Sequence, residues 1–365
     1  MGDDAAAMDA IVPITGRRLA LPPGPIFALQ RAADADYDLG AFRAWAGYKD
    51  LGSDAATDGL VLFQQVISFG ATEDSGRTGI HCHLAHVHIV IPTSGRGVFS
   101  YDGVTTEAVP GEVIVQHGGT VHDQFSYSYV AASPEETRRT PVSLEASPPG
   151  APPQSFGFLE LFVPRTIANV EIVPPAEVTA DDQAAAWDHP YHAAGASYAM
   201  QAADAPTAAY HRLAGRADLE VRDCHTWEPT AELVATWIVR PATGAAQGHE
   251  VGLSVPGETG GLSVLFMAAG SAAFRRSDGE AVRLRAGDCL TCSAGLVGDP
   301  LDPSPDMRLL LFYVSARAEA LRERTPAEIE RLEALGPAII TRKLVRPAHD
   351  DRPVNFLRDE DALPV

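Results

Sequence analysis

Three glycines recur at an almost constant interval. Gly95 is followed 175 residues later by Gly270, while Gly111 and Gly119 are each followed 176 residues later by Gly287 and Gly295. An apolar run keeps step with them, Leu233 to Ala242 standing in its half where Leu60 to Ala71 stands in the first. Such an interval, held across three landmarks, indicates a duplicated domain. Whatever one half folds into, the other must fold into a variant of it.

The first half carries the more telling stretch, Gly79 to His122. Six of the twelve histidines fall in it: His81, His83, His86 and His88 within eight residues, then His117 and His122. Neutral imidazole is the commonest ligand for Zn, Fe, Cu and Ni, so this density points to a metal. His81 and His83 are two apart, and on a strand both rings leave the same face. Turn signals at Ser94-Gly95-Arg96-Gly97, Asp102-Gly103 and Pro110-Gly111 separate short alternating runs, including a strand from Glu112 to Gln116. A histidine pair, one or two hairpins and a returning histidine is how a small β-barrel assembles an ion site.

These residues resemble the two motifs of the cupin superfamily, G-x5-H-x-H-x(3,4)-E-x6-G and G-x5-P-x-G-x2-H-x3-N. His81-Cys82-His83, four residues, His88, six residues and Gly95 fit the first; Gly111, five residues, His117, Gly119 and His122 fit the second. His88 stands where the family has Glu, His117 where it has Pro, and Ser126 replaces the terminal Asn. The leading glycine is out of register, at Gly76. The two motifs together are specific where either alone is weak. The resemblance implies an all-β chain of two tandem cupin barrels (double-stranded β-helix or jelly-roll), a bicupin, closed by a short C-terminal helical segment. It also implies one divalent ion held by His81, His83, His88 and His122, with His86 competing with His88 for the fourth place.

On this reading residues 1–55 are a lead-in packing on the barrels and 56–165 the metal-binding barrel. Residues 166–210 are a connection, 211–315 a degenerate barrel, and 316–365 a C-terminal helix and tail. Strands are expected at Leu60 to Phe69, Asp123 to Val130 and Ser155 to Pro164. The proline-rich excursion 131–154 has a lid over the barrel mouth as one option. At offsets of 175 and 176, His81, His83, His88 and His122 fall on Pro256, Glu258, Ser263 and Gly298, so the second barrel keeps no ligand. Cys289-Leu-Thr-Cys292 has redox or zinc spacing, but a single pair inside a strand reads as packing, as does Cys82. Residues 316 to 335 have helical periodicity with Thr325 and Pro326 as a start signal, and Ile339 to Leu344 is a short apolar piece.

Composition bounds the partners. With 48 acidic and 28 basic residues the net charge is −20, which argues against nucleic acid or an anionic membrane surface. No apolar run approaches a membrane span, the start is acidic rather than signal-like, and four cysteines do not form a disulfide framework. A cytoplasmic protein, a homodimer through sheet edges, acting on a small molecule, is expected. An all-histidine site leaves the ion's charge uncancelled, suiting an anionic oxygen ligand. The resembling bicupins point to an Fe(II) dioxygenase cleaving a carbon–carbon bond of a phenolic or enolisable substrate. A non-redox Zn or Mn isomerase, lyase or cyclase is the alternative (Ni is also possible), and a ligand-binding bicupin without catalysis the third reading. Gln124 and Ser126 share a strand face with His122, and Tyr101, Glu107 or Asp123 could approach it, but the sequence assigns no acid or base.

Overall fold

The computed structural model describes residues 21–39, 45–69, 78, 80–83, 85–101, 104–118, 120, 122–127, 133–148, 150–152, 154–164, 168–173, 198–244, 249–253, 255, 258–320 and 341–344. The first half supplies β1 (Phe27–Gln30), β2 (Asp38–Leu39), β3 (Ala46–Asp50), β4 (Leu62–Ser68), β5 (Ile80–His83), β6 (Val87–Ser94), β7 (Gly97–Tyr101), β8 (Val104–Ala108), β9 (Val113–His117), β10 (His122–Tyr127), β11 (Gly157–Val163) and β12 (Ala168–Val173). The second supplies β13 (Tyr198–Gln201), β14 (His211–Leu213), β15 (Arg216–Asp223), β16 (Val234–Pro241), β17 (Leu262–Ala269), β18 (Ser271–Arg276), β19 (Ala281–Arg285), β20 (Cys289–Ser293), β21 (Val297–Leu301), β22 (Arg308–Val314) and β23 (Thr341–Leu344). Helix is confined, among the described residues, to short turns.

Two seven-stranded antiparallel sheets run in matching order: β13-β9-β6-β11-β4-β3-β2, and β1-β20-β17-β22-β16-β15-β14. Every strand of one has its counterpart at the same place in the other, so the duplication is structural as well as sequential. The leading strands are exchanged: β1 pairs with β20 of the second barrel, and β13 with β9 of the first. Each large sheet is closed into a barrel by a smaller one, β23-β12-β5-β10-β7-β8 in the first half and β19-β18-β21 in the second. The chain is therefore all-β, two tandem barrels of the cupin type.

The large sheets face each other across one shared core. Alternation along β4 directs Phe63 into that core, while Leu62 packs inside the first barrel with Phe162. Phe63 meets Phe266 and Phe312 of the opposite sheet edge-on, with centroids 5.8 and 5.2 Å apart. Because both faces are covered, β4 is buried along its whole length despite two glutamines. Burying one such side chain is worth about 1.5–3 kcal/mol, with about 0.5–1.5 kcal/mol more per well-oriented ring pair.

The repeat extends to turn chemistry. Gly111 and Gly287 adopt φ of +94° and +84°, in the left-handed region open to glycine. One residue later a carboxylate accepts the N–H of the residue three before it: Glu112 Oε2 from Val109 at 2.8 Å, Asp288 Oδ2 from Arg285 at 3.0 Å.

Other segments of the chain take their places around these sheets. Within residues 1–55, β1 joins the second large sheet, and β2 and β3 join the first. The connection contains β12 and β13, hidden in an Ala-, Asp- and Pro-rich composition that dilutes the alternation. Of the C-terminal helix only Ala316–Ala320 is described, as a 3-10 turn; 321–340 lie outside the described residues. The apolar piece near the C-terminus pairs as β23 with β12 of its own chain. The tail of the 131–154 excursion docks between the barrels: Leu144 joins the shared core, and Glu145 is bound by Arg240 and Arg308 at 2.9 and 2.8 Å. Ala146 to Pro148, Gly150 to Pro152 and Gln154 line a cavity together with Gly95 and Arg96, at the end of β6 far from His88. None of these described contacts is with the histidines. Cys289 and Cys292 are buried in different cores, on opposite faces of β20, and form no pair. Among the described residues no helix is long and apolar enough to cross a membrane.

Candidate metal centre

Three of the four histidines singled out by spacing converge. His81 and His83 leave the same face of β5, and His122 of β10 lies directly opposite His81 in the antiparallel register. Each offers one ligand atom, and the three atoms lie within 4.8 Å of one another. Ring centroids are 4.2 Å apart for His81–His122, 4.8 Å for His83–His122 and 5.1 Å for His81–His83. The Nδ1–H of His122 donates to the Thr120 carbonyl at 2.9 Å. That bond fixes the tautomer and leaves the lone pair on Nε2, as a metal-ligating imidazole requires.

His88 comes from the opposite sheet, on β6, and is not one of the three. Its ring stacks on Phe162 (4.0 Å, 9°) and meets His83 edge-on at 4.6 Å. Nε2–H donates to Glu160 Oε2 at 3.1 Å, while Gln64 Nε2 donates to the other carboxylate oxygen. A carboxylate only accepts, so the His88 lone pair sits on Nδ1. That atom is buried with no partner among the described residues. The sheet register explains the array. Glu160 of β11 is opposite Gln64 of β4; one strand further, His88 is opposite Gln116 of β9, which is opposite Tyr198 of β13.

Gln116 Oε1 and Tyr101 Oη are likewise buried without partners among the described residues. Tyr101 lies opposite His122 on β7, its ring 5.9 Å from the imidazole. Burial first, then Tyr198 and Glu112, push its hydroxyl well above the usual range, so it stays a donor. Three orphaned polar atoms beside three convergent imidazoles are what a bound ion and its oxygen ligands would satisfy. The donor set fits a divalent ion of the borderline class.

The other candidates are placed elsewhere. His86 is half-buried, and its carbonyl accepts the Gly118 N–H. His117 ends β9 opposite Val87. Asp123 accepts from Thr78, and Glu107 pairs with Arg96 at 3.0 Å. Gln124 and Ser126 have side chains outside the described set. Sequence reasoning missed Glu160, Gln64 and Gln116. The available signal was a lone acid in the apolar run Phe158-Leu-Glu-Leu-Phe162, since a charge buried in a strand needs a partner.

In the second barrel the register places Trp237, Leu311, Ser263 and Cys292 where the first has Gln64, Glu160, His88 and Gln116. The counterpart of His122 is Val297, paired with Arg276 as His122 is with Tyr101. This corrects the assignment to Gly298. The turn after Gly295 is one residue shorter than that after Gly119.

No family model matches the chain, and no curated protein matches it. Among solved structures it is similar to procruciferin, the 11S globulin of Brassica napus (8% identity, 84% of this chain and 86% of that one, TM-score 0.45). It is also similar to a deletion mutant of Bacillus subtilis oxalate decarboxylase (11%, 79% and 76%, 0.42). Streptomyces albus HEPD with 2-hydroxyethylphosphonate and Fe(II) bound is similar too (12%, 87% and 81%, 0.48). At such scores the likeness brings no activity or substrate to this chain; the bicupin architecture rests on its own strand order, and the site on its own histidines.

Proposed function

We propose that the chain is a metal-dependent dioxygenase, cleaving a carbon–carbon bond of a phenolic or enolisable small molecule at the first barrel, with Fe(II) the favoured ion on His81, His83 and His122. The donor set carries this reading: three neutral imidazoles and no carboxylate among them. A bound divalent ion there supplies uncancelled positive charge for an anionic oxygen ligand and, as iron, redox chemistry with dioxygen.

The chain's own groups supply the rest. His88 Nδ1 is the acceptor for a substrate hydroxyl proton, and Glu160, held by Gln64, orients the ring and stabilises it once charged. The Tyr101 hydroxyl donates to a developing oxyanion. Phe162, Phe99, Val90 and Ile114 form an apolar wall that keeps water out.

The His88–Glu160 pair also favours a second reading, a Zn- or Mn-dependent isomerase or lyase, because such chemistry needs a base. Metal analysis of protein purified without added metal or chelator, with a His122→Ala variant beside it, separates the readings. About one Fe per chain, lost in the variant, with oxygen uptake on phenolic or diketone substrates, supports the dioxygenase. Stoichiometric Zn or Mn without oxygen uptake moves the assignment to the second reading, and no stoichiometric metal overturns both.

A further inference from the structure

The second barrel lacks, among the described residues, the two strands that correspond to β5 and β12 of the first. Among the described residues of that side, Val251 forms an isolated bridge with Leu213, and Leu253, Val255, Glu258 and Gly260 line a cavity. This cavity, of about 370 Å3, is also lined by Ser263 and Val297 at the positions that carry His88 and His122 in the first barrel.

The walls set the chemistry of an occupant. Leu265, Phe274, Leu309 and Leu311 form an apolar floor belonging to the barrel core. At the rim Tyr313 replaces Phe162 of the first barrel. Its hydroxyl donates to the Gly260 carbonyl at 2.9 Å and so offers a ligand only a lone pair. Glu258 and Asp299 also line the cavity, and among the described residues that line it there is no Lys, Arg or His. Two arginines lie outside the lining set: Arg317 binds Glu258 at 3.1 Å, and Arg216, which donates to the Pro300 carbonyl at 2.6 Å, interacts electrostatically with Asp299. Glu258 Oε2 accepts from Ser315 at 2.6 Å, and a carboxylate has about four lone-pair sites, so capacity remains. The polar groups that face the cavity are thus acceptors, above an apolar floor, and the arginines that partner the two carboxylates stand outside the lining.

We propose that this cavity is a second small-molecule site, separate from the histidine centre, and that it takes a small apolar amine. The ammonium group sits between Glu258, Asp299 and the Tyr313 oxygen, and a single ring or branched chain fills the floor. At roughly 30 Å3 per water-sized unit the space holds about ten non-hydrogen atoms. A carboxylate of the same body would be placed against two carboxylates and is rejected.

The test is calorimetric titration of the full chain with phenethylamine, 2-phenylethanol and phenylacetate, which share one body and differ in the head. The expected result is one phenethylamine per chain, the alcohol about tenfold weaker and the acid weaker still. Ser263→Leu, which fills the floor from a side chain with room around it, should weaken the amine at least tenfold. Asp299→Asn should weaken the amine several-fold and leave the alcohol unchanged. His122→Ala should change neither. Equal binding of all three heads, binding untouched by both Ser263→Leu and Asp299→Asn, loss of binding in His122→Ala alone, or no binding at all overturns the proposal.

Discussion

His88 and Glu160 meet across 3.1 Å between neighbouring strands of one sheet, and that bond decides which nitrogen of the ring keeps its lone pair. Glu160 is buried and accepts from Gln64 as well, so the three side chains form one chain of hydrogen bonds. Glu160→Ala would leave two buried polar groups unpaired. The expected cost is about 2–6 kcal/mol of stability, at about 1–3 kcal/mol per orphaned group, measured by denaturant unfolding. If His88 is the base, turnover should fall about 10–100-fold with metal content retained, since an orienting partner is lost and no ligand is. Retained turnover would remove the pair from the mechanism.

The triad and His88 should part company in metal analysis. His81→Ala, His83→Ala and His122→Ala each remove one of three donors and should bring bound metal well below one ion per chain. His88→Gln should keep about one ion per chain while turnover drops about 10²–10⁴-fold, the usual range for loss of a general base. Metal loss in His88→Gln would return His88 to the ligand set.

The shared core between the large sheets should be sensitive at Phe63. Phe63→Ala leaves a cavity against two rings of the second half, Phe266 and Phe312. A cost of about 3–5 kcal/mol is expected. Urea unfolding followed by two probes, one in each barrel, checks it; a loss below about 1 kcal/mol would mean that the sheets close over the gap.

Glu112 gives a pH dependence with a definite sign. It is 7% exposed at the turn before β9, and burial raises its carboxyl to about 7, against the lowering effect of the Val109 N–H. Glu107 and Asp204 add to the rise and Arg222 opposes it. The folded state thus holds a proton that the unfolded chain has released above its ordinary value of about 4.5. This contribution to stability is full below about pH 4.5 and is lost as pH rises through 7. Glu112→Gln should flatten that part of the stability–pH curve; an unchanged slope between pH 5 and 7 would place the dependence elsewhere.

The sequence makes legible whatever repeats or sits close along the chain. His81 and His83 share a face because strands have period two, and Gly111 and Gly287 mark the same turn in each barrel. What the sequence hides is register. Glu160 lies 72 residues from His88, and the pair exists only because β11 lies between β4 and β6. A turn one residue shorter moves the counterpart of His122 from Gly298 to Val297. The exchange of β1 and β13 between barrels leaves no local trace either, since each strand alternates in the same way whichever edge it joins.

The landmark glycines themselves can be tested, because positive φ alone and positive φ with crowding should cost different amounts. At Gly111 an added Cβ would lie 2.7 Å from the Ala146 backbone nitrogen and 3.0 Å from the Ala203 Cβ, at a φ of +94°. Backbone cannot move aside as a flexible side chain can, so the excursion that carries Leu144 and Glu145 would have to shift with it. At Gly215, where φ is +74°, nothing lies within 4 Å. Gly215→Ala therefore reports backbone strain alone, about 1–2 kcal/mol for a left-handed residue. Gly111→Ala adds the clash and the loosening of the Glu145 contacts to Arg240 and Arg308, and should cost at least about 2 kcal/mol more. Thermal unfolding of the two variants side by side decides it: equal shifts would show that the duplicated turn needs glycine for its backbone angle and not for the close approach of the excursion.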